Sequence, residues 1–590
     1  MTSEASHPRR QPSEHSFVTD DGTELFFRSW KPTQDVSDRR AIILFHRGHE
    51  HSQRWQDLID RIDLPDYWFF AWDARGHGRS PGERGYADSF GRVVRDADEF
   101  VRHVSNEFEV AIGNMAVVAQ SVGAVIASTW VHDYAPAIRA LVIATPAFQV
   151  RLYVPLAIPG LRLLQAIKPR SFIRSYVKPG LLTHDREQAK LYAEDPLISP
   201  QIAVNILLGL FDTSRRVIQD AGAIITPTLL LVSGSDWVVE EEPQFRFLER
   251  VSSLIRERIL YPRFFHSTFW EQDRAQPIAA TREFILRQFN DPLPVPSLLN
   301  ADQSGYTRFE CDNLRRRLSI FSPKRWFFFA QWLGMQTLGR LSAGIRIGWK
   351  TGFDSGESLD HVYRNTPAGF TPIGKLIDRT YLNSPGWRGI RQRKVHMIAM
   401  LEKALAQCPS ADEAVHIVDV AAGPGRYLLE FIQRHTDRQI SATLRDRSET
   451  GLAAGRELAA QMELTHVTYE SGDAFDAEQL ASLSPRPKIA IVSGLYELFP
   501  ENTLIRNSLN GLARAVPAGG ILLYTNQPWH PQHEMIARVL PNRDGDPWVM
   551  RCRSQAEMDQ LVAAAGFDKI DMLIDDDGIF SVSMAVRRVD

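Results

Sequence analysis

The sequence has few cysteines and no excess of positive charge, and each shortage excludes a class of protein. Only three cysteines, Cys311, Cys408 and Cys552, occur among 590 residues. They are too few and too scattered for a disulfide framework or a zinc site, so we expect no metal centre. The formal net charge of −3 provides no bulk basic surface for nucleic acid. We therefore expect a small-molecule substrate and no nucleic-acid partner.

Long hydrophobic runs are also missing. The first 16 residues, MTSEASHPRRQPSEHS, lack the apolar core of a signal peptide. The most apolar stretch, 326–349, is interrupted by Gln331, Arg340 and Arg346, which is unlike a membrane span. These observations predict a cytoplasmic protein that begins with a disordered tail over residues 1–17.

The length of 590 residues is too great for one hydrophobic core. Two series of short apolar strands alternate with helical patterns, which is typical of α/β domains with mostly parallel sheets. The first series is predicted at 41–46, 68–73, 115–119, 140–144, 228–233 and about 257–261. The second is predicted at 416–420, 440–445, 466–470, 488–493 and 520–525.

The spacing of these strands predicts the domain organisation. The gap between residues 144 and 228 is too long for one crossover, and its helical content predicts a cap over about 146–220. A region without strand alternation follows the proline-rich DPLPVPS. We therefore predict four parts, namely the tail, an α/β domain at 18–295, a linker with a basic and aromatic helical segment at 296–394, and a second α/β domain at 395–590.

A serine lies at the tip of a predicted strand–turn–helix in the first domain. Ala119-Gln120-Ser121-Val122-Gly123 follows the strand MAVVA and precedes a helical pattern. Small residues two positions before and after Ser121 allow the tight turn of a nucleophile elbow. The alternative, an ordinary strand-to-helix turn, is equally compatible with these five residues alone.

Two further residues complete a predicted catalytic triad. Asp236 ends the strand TLLLVSGSD, and His266 follows the next strand, in the chain order Ser, Asp, His of this fold. A serine hydroxyl needs a base to take its proton, and that base needs an orienting acid. The developing oxyanion needs two backbone N–H donors, which we expect from Gly48 and Val122.

At this point the first domain resembles a known family. The segments HRGHEHS, WDARGHGRSPGERG, AQSVG and LVSGSD are similar to those of the monoacylglycerol lipase and lysophospholipase branch of the serine aminopeptidase-type α/β-hydrolases. The resemblance implies the triad and an apolar acyl site beneath the cap. The apolar cap stretch suits a lipid tail, although it equally suits packing on the hydrolase core, and we hypothesise an acyl-glycerol or lysophospholipid ester as substrate. Prolyl aminopeptidases and haloperoxidase-like esterases share the triad and remain alternatives. Arg47 and His49 depart from the family's preference for glycine.

A glycine-rich turn opens the second domain. The run from Asp419 to Arg426, DVAAGPGR, lies between a strand and a helical pattern, where glycine lets the backbone approach a ligand. Asp446 ends the next strand, close to where an acid meets ribose hydroxyls. Asp473 follows the third strand. A nicotinamide-binding domain is a rival, but Leu428 stands where its third glycine would fall.

These features resemble the class I S-adenosylmethionine-dependent methyltransferases, a Rossmann-like fold, over about residues 395–590. The resemblance implies that S-adenosyl-L-methionine is the cofactor of this domain, whereas the hydrolase needs none. Ala421, where the family has its first glycine, is a departure. A domain that binds no cofactor is the alternative. By position, the methionine end would be lined by Asp419, Ala421, Gly423 and Gly425, the ribose would meet Asp446, and the adenine would lie near Asp473.

The segment 315–350 combines cationic with aromatic residues and contains no acidic one. Such a helix suits the interface of an anionic membrane, but it equally suits buried docking between domains. Peripheral contact with the inner membrane face is thus one interpretation. Its basic residues are Arg315, Arg316, Arg317, Lys324, Arg325, Arg340, Arg346 and Lys350.

The order of the parts resembles bacterial bifunctional hydrolase–methyltransferase fusions. The resemblance implies a role in lipid metabolism for a serine esterase joined to a methyltransferase. The alternative is a hydrolase whose C-terminal domain is a non-catalytic binding or membrane-scaffolding module. No motif identifies the methyl acceptor, since SGLYELFP stands where nucleic-acid amine methylases carry their acceptor motif.

Overall fold

A computed structural model of the protein describes residues 9–34, 37–292, 294–408 and 414–589. The chain divides into two compact units, Met1–Pro296 and Ser297–Asp590. Each unit has its own sheet and its own hydrophobic clusters, so each is described by itself.

The first unit is built on an eight-stranded sheet. Its strand order is β1-β2-β4-β3-β5-β6-β9-β10; β2 is antiparallel to β1 and β4, and the other neighbours are parallel. A separate hairpin is formed by β7 and β8. The strands are β1 Pro12–Val18, β2 Glu24–Trp30, β3 Arg40–Phe45, β4 Tyr67–Trp72, β5 Met115–Gln120, β6 Ala140–Ala144, β7 Phe172–Arg174, β8 Gln201–Ala203, β9 Thr228–Ser233 and β10 Arg256–Tyr261.

Helices cover both the sheet and the predicted cap region. The helices are α1 Gln56–Arg61, α2 Phe90–Glu107, α3 Val122–Tyr134, α4 Ala157–Ile167, α5 Arg186–Glu194, α6 Val204–Gln219, α7 Glu242–Arg250 and α8 Ala275–Asn290. Between β6 and β9 lie α4, α5, α6 and the small hairpin, where the sequence predicts a cap. All residues of β5 are buried, as expected of a central parallel strand.

The N-terminal tail predicted as disordered is wrong from Pro12 onward. Residues Pro12–Val18 form β1, which pairs along its whole length with β2, from Pro12 opposite Trp30 to Val18 opposite Glu24. The strand lies at the sheet edge with its polar side chains mostly outward, and Phe17 is buried. One-sided burial leaves too few apolar residues for the sequence pattern to reveal such a strand. Residues 1–8 lie outside the described part of the chain.

The second unit contains a seven-stranded sheet in the order β13-β12-β11-β14-β15-β17-β16. The strands are parallel except β17, which is antiparallel to both neighbours. This is the predicted Rossmann-like class I methyltransferase fold. The strands are β11 Val415–Val420, β12 Ile440–Asp446, β13 Val467–Ser471, β14 Ile489–Val492, β15 Ile521–Asn526, β16 Phe567–Ile574 and β17 Ser581–Arg587.

Twelve helices are described in the second unit, and six of them precede its first strand. The range 296–394, predicted as a linker with a helical segment, is thus largely helical, and Phe328, Ile345 and Phe353 pack in one buried cluster with Ile536 and Val539. The helices are α9 Tyr306–Arg315, α10 Pro323–Gln336, α11 Ala343–Thr351, α12 Gly356–Arg364, α13 Pro372–Leu382, α14 Pro385–Ala406, α15 Arg426–Arg434, α16 Glu449–Gln461, α17 Ala477–Ala481, α18 Asn502–Ala515, α19 His533–Val539 and α20 Gln555–Ala564.

Within the described ranges, no helix of either unit combines the length and the hydropathy that a bilayer-spanning helix requires.

Candidate active site and candidate cofactor site

Ser121 lies at a strained turn between β5 and α3. Its backbone has φ 56° and ψ −118°, a conformation that non-glycine residues rarely adopt. The turn is tight because Gly123 lies against the end of the neighbouring strand β3: a Cβ there would come 2.4 Å from the carbonyl oxygens of Phe45 and His46. The second small residue of the motif is thus required by space, and Ser121 stands at the carboxyl end of the sheet.

The structure brings Ser121, His266 and Asp236 together. Ser121 Oγ lies 2.8 Å from His266 Nε2, and His266 Nδ1 lies 2.7 Å from Asp236 Oδ2. Because an ionised carboxylate can only accept, Nδ1 of a neutral imidazole carries the proton, and Nε2 is left to accept from the serine hydroxyl. All three residues are buried. Removal of the serine proton by His266 is the chemistry that this arrangement permits.

Neighbouring groups fix the acid and the base in place. Asp236 Oδ1 accepts hydrogen bonds from the backbone N–H groups of Val238 at 2.7 Å and Val239 at 3.1 Å. The carbonyl oxygen of His266 accepts from Gln120 Nε2 at 2.7 Å and from Thr145 Oγ1 at 3.1 Å. Gln120 as a support for the His266 loop could not be found from the sequence, because no local pattern distinguishes it from any residue beside a nucleophile.

The residues expected to form the oxyanion hole are close neighbours. A Cβ added to Gly48 would lie 3.1 Å from Cγ2 of Val122, so the loop after β3 meets the first residue of α3. This is the location in which two backbone N–H groups can face one oxygen beside Ser121. The donor role of both residues stays a prediction.

The two departures from the family's glycines have structural explanations. Arg47 is buried, donates to Glu50 at 2.9 and 2.5 Å, and also donates to Ser267 Oγ, next to His266. Burial lowers the pKa of Arg47, but Glu50 outweighs it and raises the pKa above its ordinary value. The long side chain therefore ties the oxyanion loop to the histidine loop. His49 takes the left-handed conformation with φ 73° that a glycine would favour.

The predicted cap region presents apolar side chains to solvent. No residue of α4 is buried, and Leu156, Leu163 and Ile167 are 80%, 63% and 75% exposed. A surface of this kind suits contact with an apolar ligand or phase.

In the second unit, the glycine-rich turn after β11 is held by the acid that ends β12. Gly423 N donates to Asp446 Oδ2 at 2.8 Å, while Ser448 N donates to Asp446 Oδ1 at 2.7 Å. Ala421, Gly423 and Gly425 all have positive φ, so Ala421 adopts the conformation of the glycine it replaces. A Cβ on Gly423 would meet no atom within 4 Å, which leaves open space beside this backbone.

Asp419 is the buried acid of this turn. Its Oδ2 accepts from the hydroxyl of Tyr427 at 2.6 Å, and its buried Oδ1 has no hydrogen-bond partner among the described residues. Burial raises the pKa of Asp419 to about 7, against the hydrogen bond from Tyr427 and with the help of Asp446. An unpaired buried carboxylate oxygen fits a ligand that supplies a donor or a cation. The residues present thus fit S-adenosylmethionine.

The remaining predicted cofactor residue stands apart from this cluster. Asp473 follows β13 and is exposed, and its Oδ1 accepts from the backbone N–H of Phe475 in a local turn. Its proposed place near adenine stays a prediction. Sequence reasoning missed Tyr427, whose hydroxyl reaches Asp419 from one turn into α15. An aromatic residue two positions after the last glycine is the only signal that could have found it.

The fold and these sites define two classes of domain, a lipase-like α/β-hydrolase followed by a class I methyltransferase-like domain. A family model described as "Serine aminopeptidase, S33" matches residues 37–273, and one described as "Putative methyltransferase" matches residues 281–587. The second model spans more than half of the chain, so the chain belongs to that family, here joined to a hydrolase domain.

Individual relatives match either the whole chain or its first half. The uncharacterized protein YnbC of Escherichia coli K12 is 50% identical over 581 residues, 98% of this chain and 99% of its own. A monoacylglycerol lipase of Mycolicibacterium smegmatis is 25% identical over 273 residues, 44% of this chain and 92% of its own. The crystal structure of Paleococcus ferrophilus monoacylglycerol lipase aligns with 47% of this chain and 99% of its own, at 21% identity and a TM-score of 0.40.

Proposed function

We propose that the first unit is a serine ester hydrolase that acts through Ser121, His266 and Asp236. The observation that carries the proposal is the continuous hydrogen-bonded chain from Ser121 Oγ through His266 to Asp236, built on a strained turn. A strained backbone conformation persists only where the surrounding contacts hold it in place, and such residues cluster at active sites. Gly48 and Val122 would supply the backbone donors for the oxyanion.

The proposed substrate is a monoacylglycerol or a lysophospholipid. Relatives that match the hydrolase half include enzymes named monoacylglycerol lipase and monoglyceride lipase, and the exposed apolar face of α4 suits a lipid tail. Purified protein is expected to release fatty acid from one of these lipids, as measured by free fatty acid titration. If it cleaves short p-nitrophenyl esters but no monoacylated lipid, the lipid assignment is wrong and a general esterase remains.

We further propose that the second unit is an S-adenosylmethionine-dependent methyltransferase. Asp419 would take the cationic methionine end, Asp446 the ribose, and the turn through Ala421, Gly423 and Gly425 would pass beneath the cofactor. The unpaired Oδ1 of Asp419 supports this proposal. The cofactor, when bound, supplies an activated methyl group. If titration detects no binding of S-adenosylmethionine, the alternative of a non-catalytic scaffold is favoured.

Peripheral contact with an anionic membrane, from the cytoplasmic side, is part of the same proposal. On α10, Trp326, Phe327 and Phe329 are 61%, 58% and 50% exposed, and the basic residues of 315–350 flank them in the sequence. Cationic residues near anionic lipid contribute about 1 kcal/mol each. Aromatic side chains add to this by burying apolar surface in the interface, so replacing Trp326 and Phe327 together by Ala is expected to lower flotation with anionic liposomes several-fold.

One control variant and two contrary outcomes test this prediction of membrane contact. Val18→Ala removes an equally exposed apolar side chain from the first unit and should leave flotation unchanged. Wild-type protein that fails to float with anionic vesicles at low salt would remove the membrane proposal. If the double variant floats as well as the wild type, the membrane contact lies elsewhere on the protein.

A further inference from the structure

The second unit contains a cavity of about 520 Å³ that the proposed cofactor turn does not line. The cavity lies among α10 to α14, α19 and the loops that follow β14 and β15. Its volume falls in the range of about 300–1,000 Å³ that is usual for ligand sites.

The cavity changes character from one end to the other. At its outer end, Leu376 is 64% exposed and Thr380 is exposed, both on α13. Its wall is apolar, with Trp387 and Ile536 among the lining residues. At its inner end lie two buried charged residues, Arg393 and Glu497. An apolar cavity that begins at the surface and ends at a few polar groups suits an amphiphile whose apolar chain lies along the wall. It does not suit a compact polar metabolite.

The inner end determines which head group the cavity accepts. Glu497 Oε1 accepts from Arg393 Nη1 at 3.2 Å and from Thr525 Oγ1 at 2.7 Å. Glu497 Oε2 is buried and has no hydrogen-bond partner among the described residues. A carboxylate oxygen left in this state favours a ligand that donates a hydrogen bond and disfavours a second anion. The head group is therefore a donor such as a hydroxyl or an amine.

The same end adjoins the proposed cofactor site. The charge of Arg393 acts on Tyr427, whose hydroxyl donates to Asp419. Gly494 is close to Arg393 as well, since a Cβ built there would lie 3.2 Å from a guanidinium nitrogen. A head group at Glu497 would thus sit at the carboxyl ends of the central strands, beside the cofactor turn.

We propose that this cavity binds the aliphatic chain of a single-chain amphiphile, with a hydrogen-bond-donating head at Glu497. Such an amphiphile would be the methyl acceptor of the proposed methyltransferase, and this part of the proposal rests on the proposed function. Binding of the chain itself does not require the cofactor. At the outer end, the apolar side chain of Leu376 is 64% exposed and would meet the chain as it enters.

Photo-crosslinking tests the proposal on the full chain without S-adenosylmethionine. The probe is a long-chain alcohol with a diazirine in its chain, which the proposed hydrolase cannot cleave because it is not an ester. Mass spectrometry is expected to find the label on peptides that contain Trp387 or Ile536. Ile377→Trp fills the cavity and should reduce this labelling about ten-fold, equivalent to one decade in affinity. Ile373→Trp, on the same helix but outside the cavity lining, should not change it.

Met335→Trp is a second cavity-filling variant, to be used if circular dichroism shows that Ile377→Trp does not fold.

Other outcomes overturn the proposal. Label confined to residues 1–296 would show that the cavity binds no chain. If the unlabelled alcohol and a fatty acid of the same length compete equally with the probe, the donor head group is refuted. If the alcohol competes better, Glu497→Gln should reduce the difference between the two competitors. If the cavity is labelled but titration detects no binding of S-adenosylmethionine, the cavity proposal stands and the methyltransferase proposal is wrong.

Discussion

Replacing Ser121 by Ala is expected to lower ester hydrolysis by about 10³- to 10⁶-fold, since the nucleophile of a hydrogen-bonded triad is lost. His266 would remain bound to Asp236, so the fold should survive. The variant should also lose all labelling by a fluorophosphonate probe, which reacts only with a serine activated by its base. In-gel fluorescence beside a fatty acid release assay measures both effects.

A serine in the same helix gives the control for this prediction. Ser128 is fully buried in α3, and its hydroxyl has no hydrogen-bond partner among the described residues. Ser128→Ala should therefore keep both labelling and hydrolysis. Wild-type protein that is folded but takes no label would show that the triad is assembled without being active, and the proposed hydrolase function would be wrong.

Replacing Asp419 by Asn is expected to weaken S-adenosylmethionine binding by about 10- to 100-fold. A hydrogen bond to a charged group contributes about 1.5–3 kcal/mol, and each 1.4 kcal/mol is a factor of ten in affinity. Asn keeps the shape of the side chain and can still accept from Tyr427. Isothermal titration measures the change, with Asp437→Asn, an exposed acid in the turn before β12, as the control.

The same carboxyl group gives the pH dependence of binding. Because burial raises the pKa of Asp419 to about 7, the group is neutral below that pH in the free protein. A cationic ligand favours the carboxylate, so binding must release the proton below about pH 7. Affinity should fall by up to about ten-fold for each pH unit below 7 and be level just above it. The Asp419→Asn variant should show no such slope, and a slope that persists in it would place the titrating group elsewhere.

Much of both sheets could be predicted from the sequence, because buried parallel strands are apolar along their whole length. The structure has β3, β4, β5, β6, β9 and β10 within one residue of the predicted bounds, and β11 to β15 likewise. The predictions failed for β1 and β2 at an edge of the first sheet and for β16 and β17 at an edge of the second. Such strands are antiparallel and less uniformly apolar, for example β16, in which polar exposed residues interrupt the buried ones.

The sequence by itself determined the candidate triad, because its spacing relative to strand ends is local information. Ser121, Asp236 and His266 each follow a strand, and parallel strands bring their carboxyl ends to one edge. Only the tertiary structure decided how Arg47 replaces a glycine, since its partner Ser267 is 220 residues away.

The tertiary structure also decided what the region before β11 does. Its aromatic residues fit a membrane helix, a domain contact or a core equally well, because composition does not reveal which face is covered. In the fold, Phe328 is buried while Trp326 and Phe327 are exposed. The cavity over Glu497 is assembled from helices and loops far apart in the sequence, and no single segment carries its pattern. Packing between distant elements alone creates such a site.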